Sequence, residues 1–290
     1  MRTHNALKWL IPPIFLLALV AAVAGLWLGA GAGAPYALTN FRGEQVTINA
    51  RGLYYWDTVS TAAQMQANDL VTLILGLPLL AVSFFQARRG SLRGRLLLTG
   101  TLGFFLYTYM SMCFGAAYNP LFLVYVALFG LSLYAFILSM MSFDLAALPA
   151  RFSDRLPRRG IAGVFFFTAA FLSLAWLGRI AATFAPGAIP ALENITSMFI
   201  QAMDLALIVP LCVLAAVLLV RRSPWGYLLA SVAVLKFVTM GLAVSLMGLN
   251  QTRVGAPVNA VELVVFPIIT LLNLALAVLL LRSVTVRSVR

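Results

Sequence analysis

Eight apolar stretches, each about 18–25 residues long, divide this 290-residue chain, and three of the seven segments between them carry clustered arginines. About twenty residues of helix cross the ~30 Å hydrocarbon core of a bilayer. In that medium a spanning segment must satisfy its own backbone hydrogen bonds, which makes helices the default. The stretches are Trp9–Gly29, Asp69–Gln86, Leu96–Ala117, Leu121–Phe143, Ile161–Ile180, Met198–Val220, Trp225–Leu249 and Val258–Leu281. With 62% apolar and only 10% charged residues, the chain lacks the charge that a water-facing surface of this length would carry. The expected fold class is therefore an all-α polytopic membrane helix bundle of eight spans.

The net charge of +12 would fit a nucleic-acid partner were it not for its placement. Fifteen of the twenty basic residues fall on one side if the spans alternate with the N-terminus inside, in clusters such as Arg88-Arg89, Arg93–Arg95, Arg151–Arg159 and Arg221-Arg222. This positive-inside bias puts both termini in the cytoplasm, and the clusters attract the anionic headgroups of membrane lipids there. No nucleic-acid partner is expected.

The first stretch admits a second reading. Arg2 and Lys8 before an apolar run, then Ala30-Gly31-Ala32-Gly33-Ala34, also fit a cleaved signal, which would leave seven spans. The run is long for a signal, and Trp27 sits near its outer end as an interfacial anchor, so a retained span is expected. The longest outer loop, Ala30–Asn68, contains Glu44–Asn49 and Leu53–Trp56 around Ala50-Arg51-Gly52, a candidate hairpin with Tyr54–Trp56 at headgroup level. Gly25, Gly29 and Gly33 form a small-residue stripe suited to helix packing.

The chain resembles itself. Gln66–Leu70 and Gln201–Leu205 open the second and sixth stretches, and a double arginine closes each. Gly94-Arg95-Leu96-Leu97 and Gly226–Leu229 begin the third and seventh. Trp27-Leu28-Gly29 matches Trp176-Leu177-Gly178, and Asn119 and Asn259 each stand four residues before Leu-Val. The expectation is two parallel four-span repeats, residues 1–157 and 158–290, with a cleft between them. Tyr118–Leu123 and Pro224–Leu229 resemble stretches of uncharacterised bacterial multi-pass membrane proteins. That resemblance implies a bacterial inner-membrane protein and no particular activity.

An ionised group inside a span costs roughly 2.5–3.5 kcal/mol on insertion scales, so each needs a partner or a purpose. Asp204, Lys236, Glu262 and Arg179 lie in or at the ends of spans, and Asp69 is the counterpart of Asp204 in the sequence match. All fall toward the outer face. With Gln66, Gln201, Asn119 and Asn259 they make a candidate substrate- or ion-binding set, with Asp69 and Asp204 as paired carboxylates. The competing expectation is structural: Asp204–Lys236 and Glu262–Arg179 as packing salt bridges, and Asp69 as a solvated carboxylate near a helix N-terminus. Pro78, Pro210 and Pro267 inside spans predict kinks.

Catalytic and metal signatures are missing. The single histidine, His4, is in the N-terminal tail, and the two cysteines, Cys113 and Cys212, sit singly within spans. There is no HExxH, GxSxG, SxxK or P-loop sequence, so no metal, cofactor or hydrolytic centre is expected. Three roles remain: a permease with an outward-facing site between halves, a structural or sensing membrane protein, and a membrane-embedded enzyme acting on lipid-like molecules.

Overall fold

The computed structural model describes residues 2–29 and 33–285, and not the side chains of residues 2–5, 261 and 262. In chain order come α1 (Arg2–Trp27), β1 (Tyr36–Thr39), β2 (Gln45–Ile48), α2 (Val59–Val71), α3 (Leu77–Arg88), α4 (Leu92–Gly115), α5 (Phe122–Met141), α6 (Arg158–Ala181), α7 (Phe199–Met203), α8 (Val209–Val220), α9 (Pro224–Arg253) and α10 (Ala260–Ser283). Single π turns, Thr72–Gly76 and Asp204–Ile208, join α2 to α3 and α7 to α8. Eight of the described helical segments are long and apolar enough to cross a membrane. The protein is an integral membrane helix bundle.

The second span begins at Val59, ten residues before the apolar stretch read from sequence. Thr58 caps it, its hydroxyl accepting the N–H of Thr61. The added turns carry Ser60, Thr61, Gln64 and Asn68, which lower hydropathy. They are nonetheless held in the bundle, because Asn250 and Gln251 near the end of α9 donate to the Ala63 carbonyl (2.8 Å) and the Ser60 hydroxyl (2.9 Å). The hairpin also differs from expectation. Gln45–Ile48 pairs antiparallel with Tyr36–Thr39, not with Leu53–Trp56. Asn40 fixes the turn: its side-chain oxygen accepts from the N–H groups of Arg42 and Glu44, and Gly43 adopts φ 84°. Leu53 and Tyr54 instead fold inward and are buried, Tyr54 away from headgroup level, while Trp56 stays exposed. The stripe Gly25–Gly29–Gly33 is broken, since α1 ends at Trp27; the small-residue run after it lies partly outside the described residues.

The two ends of the bundle differ. At the arginine-rich end, the α5–α6 connector is tied to the end of α10: Ser153 and Thr285 exchange backbone bonds with Ser283 and Arg151, and Arg93 donates to the Val284 carbonyl (2.8 Å). Arg95 spans α4 and α5 by donating to the Ser142 carbonyl and lying 4.6 Å from the Phe143 ring centroid. The hairpin end carries β1–β2 and the α6–α7 loop.

Local features recur at one interval. Thr72–Gly76 and Asp204–Ile208 are both π turns, and each leads into a helix with proline at its second position, Pro78 and Pro210. A proline removes one ladder N–H and crowds the preceding turn, and a wider π turn relieves that crowding. After each helix comes a residue with positive φ (Gly90 at 78°, Arg222 at 56°), then Ser91 or Ser223 at the start of the next helix. Gly94 and Gly226 follow, and a Cβ on either would lie within 2.4 Å of the preceding helix. Each pair is 132 positions apart. On that interval Asp204 corresponds to Thr72, and Gln201 to Asp69.

The first four spans and the last four pack differently. α1 packs along α5, whereas α6 and α10 barely touch, meeting at the Phe171–Phe266 ring contact (centroids 5.8 Å). The space left by that splay is the site.

Candidate functional site

A cavity of about 920 Å³ occupies the hairpin-end half of the bundle, between α2, α4, α6, α9 and α10 and the π turn at Asp204. Glu44–Thr47 of β2 and the Ala191–Ser197 region of the α6–α7 loop line its roof. That volume lies in the range of small-molecule sites. Met65, Met112, Met240 and Met247 give it an adaptable apolar wall.

Among the described residues of the wall, the most buried charge is Lys236, 6% exposed. α4 lets it in. A Cβ on Gly100 would meet the Leu235 side chain at 2.5 Å, and one on Gly103 would lie 3.5 Å from Lys236 Cγ. The lysine stem therefore runs over a smooth face of α4. One turn beyond Gly103, on the same face, the Tyr107 ring lies under the ammonium, 4.1 Å from Nζ to centroid; the Phe237 ring is 5.2 Å away. Asp204 is held from two helices. Tyr107 donates to one carboxylate oxygen (2.6 Å) and the Trp176 indole to the other (2.9 Å). Tyr107 thus stands between carboxylate and ammonium, and no direct Asp204–Lys236 salt bridge forms. Arg42–Glu44 (3.6 Å), in the hairpin, is the ion pair found among the described residues.

The roof is knitted around Glu193, a non-glycine residue at φ 54°. Its carboxylate accepts from the hydroxyls of Thr58 and Thr61 at the start of α2. Its carbonyl accepts from Asn40 (2.7 Å) and Arg42 (2.6 Å), and Glu44 accepts the N–H groups of Leu192 and Glu193. Close by, Asp57 is 1% exposed and accepts from the Ala117 N–H (2.9 Å), while its other oxygen has no described partner. Burial pushes its carboxyl up to about 7 against that hydrogen bond, with the Glu193 charge adding to the rise.

The candidates from sequence divide. Asp204, Lys236, Gln201, Arg179 and Asn259 line the cavity. Arg179 does so at its margin, where it donates to the Ala191 carbonyl (2.5 Å). Asp69 does not line it. Asp69 is buried against α1 and accepts from Tyr54 (2.6 Å), neither solvated nor facing Asp204 across a cleft. The Tyr54 hydroxyl is held well above its usual range by burial and then by the Asp69 charge. Gln66 lines a separate groove of about 530 Å³ with Trp27, Asn250 and Arg253. Asn119 shapes the turn into α5, accepting from the Leu121 N–H (3.0 Å). The Glu262 side chain, and so the Glu262–Arg179 pair, is outside the described residues. Tyr107, Thr108 and Trp176 were not legible as site residues. Polar aromatics in spans are common interfacial anchors, and only the Gly103–Tyr107 spacing, one helical turn, hints at a shared face with Lys236.

Compared with models of protein families, with curated proteins and with solved structures, the chain matches none.

Proposed function

We propose that this integral membrane protein is permease-like and binds a small solute in the cavity between two similar four-span halves. One observation carries the reading: a space large enough for a small molecule reaches a buried lysine that no carboxylate touches among the described residues, beside an aspartate held by Tyr107 and Trp176. Charges kept only for packing would be paired directly and leave no room around them. The constant spacing of the π turns, prolines and glycine contacts supports halves related as parallel repeats, an arrangement that places solute sites at the repeat interface. The arginine bias supports a bacterial inner membrane orientation with the hairpin end outside and both termini cytoplasmic.

Cysteine accessibility in membrane vesicles of known sidedness tests this. Single cysteines at Ser111, Thr168 and Gln251, in a background with Cys113 and Cys212 replaced, should react with a membrane-impermeant thiol reagent. Ser111→Cys and Gln251→Cys should react from the hairpin side. Correctly folded variants that stay unlabelled from both sides would remove the solute site.

A further inference from the structure

The cavity's hydrogen-bonding capacity is unevenly spent, and the imbalance has a sign. Among the described residues three carboxylates line it, and each is engaged by protein donors. Asp204 takes Tyr107 and Trp176, Glu193 takes the Thr58 and Thr61 hydroxyls, and Glu44 takes two backbone N–H groups of the α6–α7 loop. The donors are the groups left over. The Lys236 ammonium brings three N–H bonds, and among the described residues it meets the ring faces of Tyr107 and Phe237 rather than a hydrogen-bond acceptor. The Thr108 hydroxyl, on a residue 3% exposed, has no partner among the described residues although it belongs to the cavity wall. The Gln201 amide, 7% exposed, also lines the cavity with no described side-chain bond. A buried ammonium with no acceptor is costly, and a ligand that brings one removes that cost.

Around these donors the wall is apolar: methionines from α2, α4 and α9, and phenylalanines from α6, α7 and α10. A hydrophilic inorganic ion would leave that surface facing water. A lipophilic cation would need a free carboxylate, and those described are occupied.

We infer that the cavity takes an organic anion with an apolar body, its carboxylate, sulfonate or phosphate seated against Lys236 with Thr108 and Gln201 as neutral donors. The inference rests on the solute-binding reading and adds its chemical class. Tyr107 serves both charges. Its ring holds the ammonium where the anionic group arrives, and its hydroxyl keeps Asp204 turned to the protein and away from that group.

An isosteric trio tests the sign: biphenylacetate, biphenylethanol and biphenylethylammonium, in equilibrium dialysis against the full chain in nanodiscs, with empty nanodiscs subtracted. The anion should bind at least tenfold tighter than the other two. Lys236→Met should erase that preference by weakening the anion far more than the alcohol, and Lys236→Arg should keep it. Thr108→Val should weaken the anion several-fold. If Lys236→Met does not fold, the wild type, Lys236→Arg and Thr108→Val decide the question.

Preference for the ammonium compound, or equal binding of all three untouched by these variants, would overturn the anion assignment and leave a solute cavity standing. No binding of any of the three would also overturn it. Whether the cavity is reachable at all is read independently from cysteine labelling, so the two failures cannot be confused.

Discussion

Replacing Tyr107 with phenylalanine separates its two roles, because the ring under Lys236 remains while the hydroxyl that reaches Asp204 is lost. That hydroxyl donates at 2.6 Å to a carboxylate only 8% exposed. A hydrogen bond to a buried charged group contributes about 1.5–3 kcal/mol, and more than the bond is at stake when the acceptor is left without a partner. Tyr107→Phe should therefore destabilise by about 1.5–3 kcal/mol, with Asp204 still held by Trp176 at 2.9 Å. Asp204→Leu should cost a similar amount, since it strands the Tyr107 hydroxyl and the Trp176 indole N–H. In the double variant the tyrosine's penalty vanishes, because both members of the pair are then apolar. The cycle should close with a coupling of about 1.5–3 kcal/mol. Tyr107→Leu should lose a further ~0.5–2 kcal/mol relative to Tyr107→Phe, the worth of the ring to the ammonium. Reversible unfolding in mixed micelles titrated with dodecyl sulfate, followed by far-ultraviolet circular dichroism, gives each value. Additivity within about 0.5 kcal/mol would refute the reasoning, because it would mean that water replaces the tyrosine at no cost and the carboxylate is not held by the protein.

Other consequences follow from single contacts. Asp57 holds its proton more tightly folded than unfolded, from 3.8 up to about 7. Its contribution is thus fully present below pH 4, falls as pH rises to 7 and is flat above; Asp57→Asn should abolish that slope in thermal unfolding and raise stability at pH 8 by on the order of 2–4 kcal/mol. Gly25→Ala would place a Cβ 1.8 Å from the Asp69 carboxylate, so the variant should lose at least about 2 kcal/mol, whereas Gly29→Ala, with nothing within 4 Å, should be neutral in the same unfolding assay. Glu193→Ala removes the acceptor that joins the α6–α7 loop to the start of α2, and amide exchange should speed up in residues 185–198 while α4 and α9 stay protected.

The helical spans were legible because the bilayer imposes a length and a composition, and both are local properties of the sequence. What tertiary contacts decide was less so. The first turns of α2 read as loop because Ser60, Gln64 and Asn68 are polar, yet α9 supplies donors from nearly two hundred residues away. The hairpin partner was misassigned because Leu53–Trp56 follows Gln45–Ile48 closely with a glycine between, whereas the turn that decides the pairing is built by the Asn40 side chain. Asp69 and Asp204 share a sequence motif but not a place: Asp204 opens its π turn, and Asp69 stands three residues before its own. Alignment by identity cannot see backbone register, and that register is what aims a side chain.

The same register explains why the cavity is lopsided within the proposed repeat, with its buried lysine supplied by the second half. Counting 132 positions back from Lys236 reaches Phe104, which is fully buried, with its ring edge 3.0 Å from where a Gly76 Cβ would lie. Counting forward from Gly76 reaches Ile208, at the wall of the cavity. In the first half, then, a large ring closes onto a glycine and fills the space, and α1 seals it along α5. In the second half a lysine stands in the ring's place, opposite a bulkier residue, and α6 is splayed from α10. An ancestral pair of equal halves would bury two equivalent apolar seams. Exchanging a packing ring for a charge in one of them would open that seam at a cost in stability. Lys236→Phe removes the buried charge and should raise stability while abolishing anion binding. A variant both less stable and still anion-binding would show that the two seams are not equivalent.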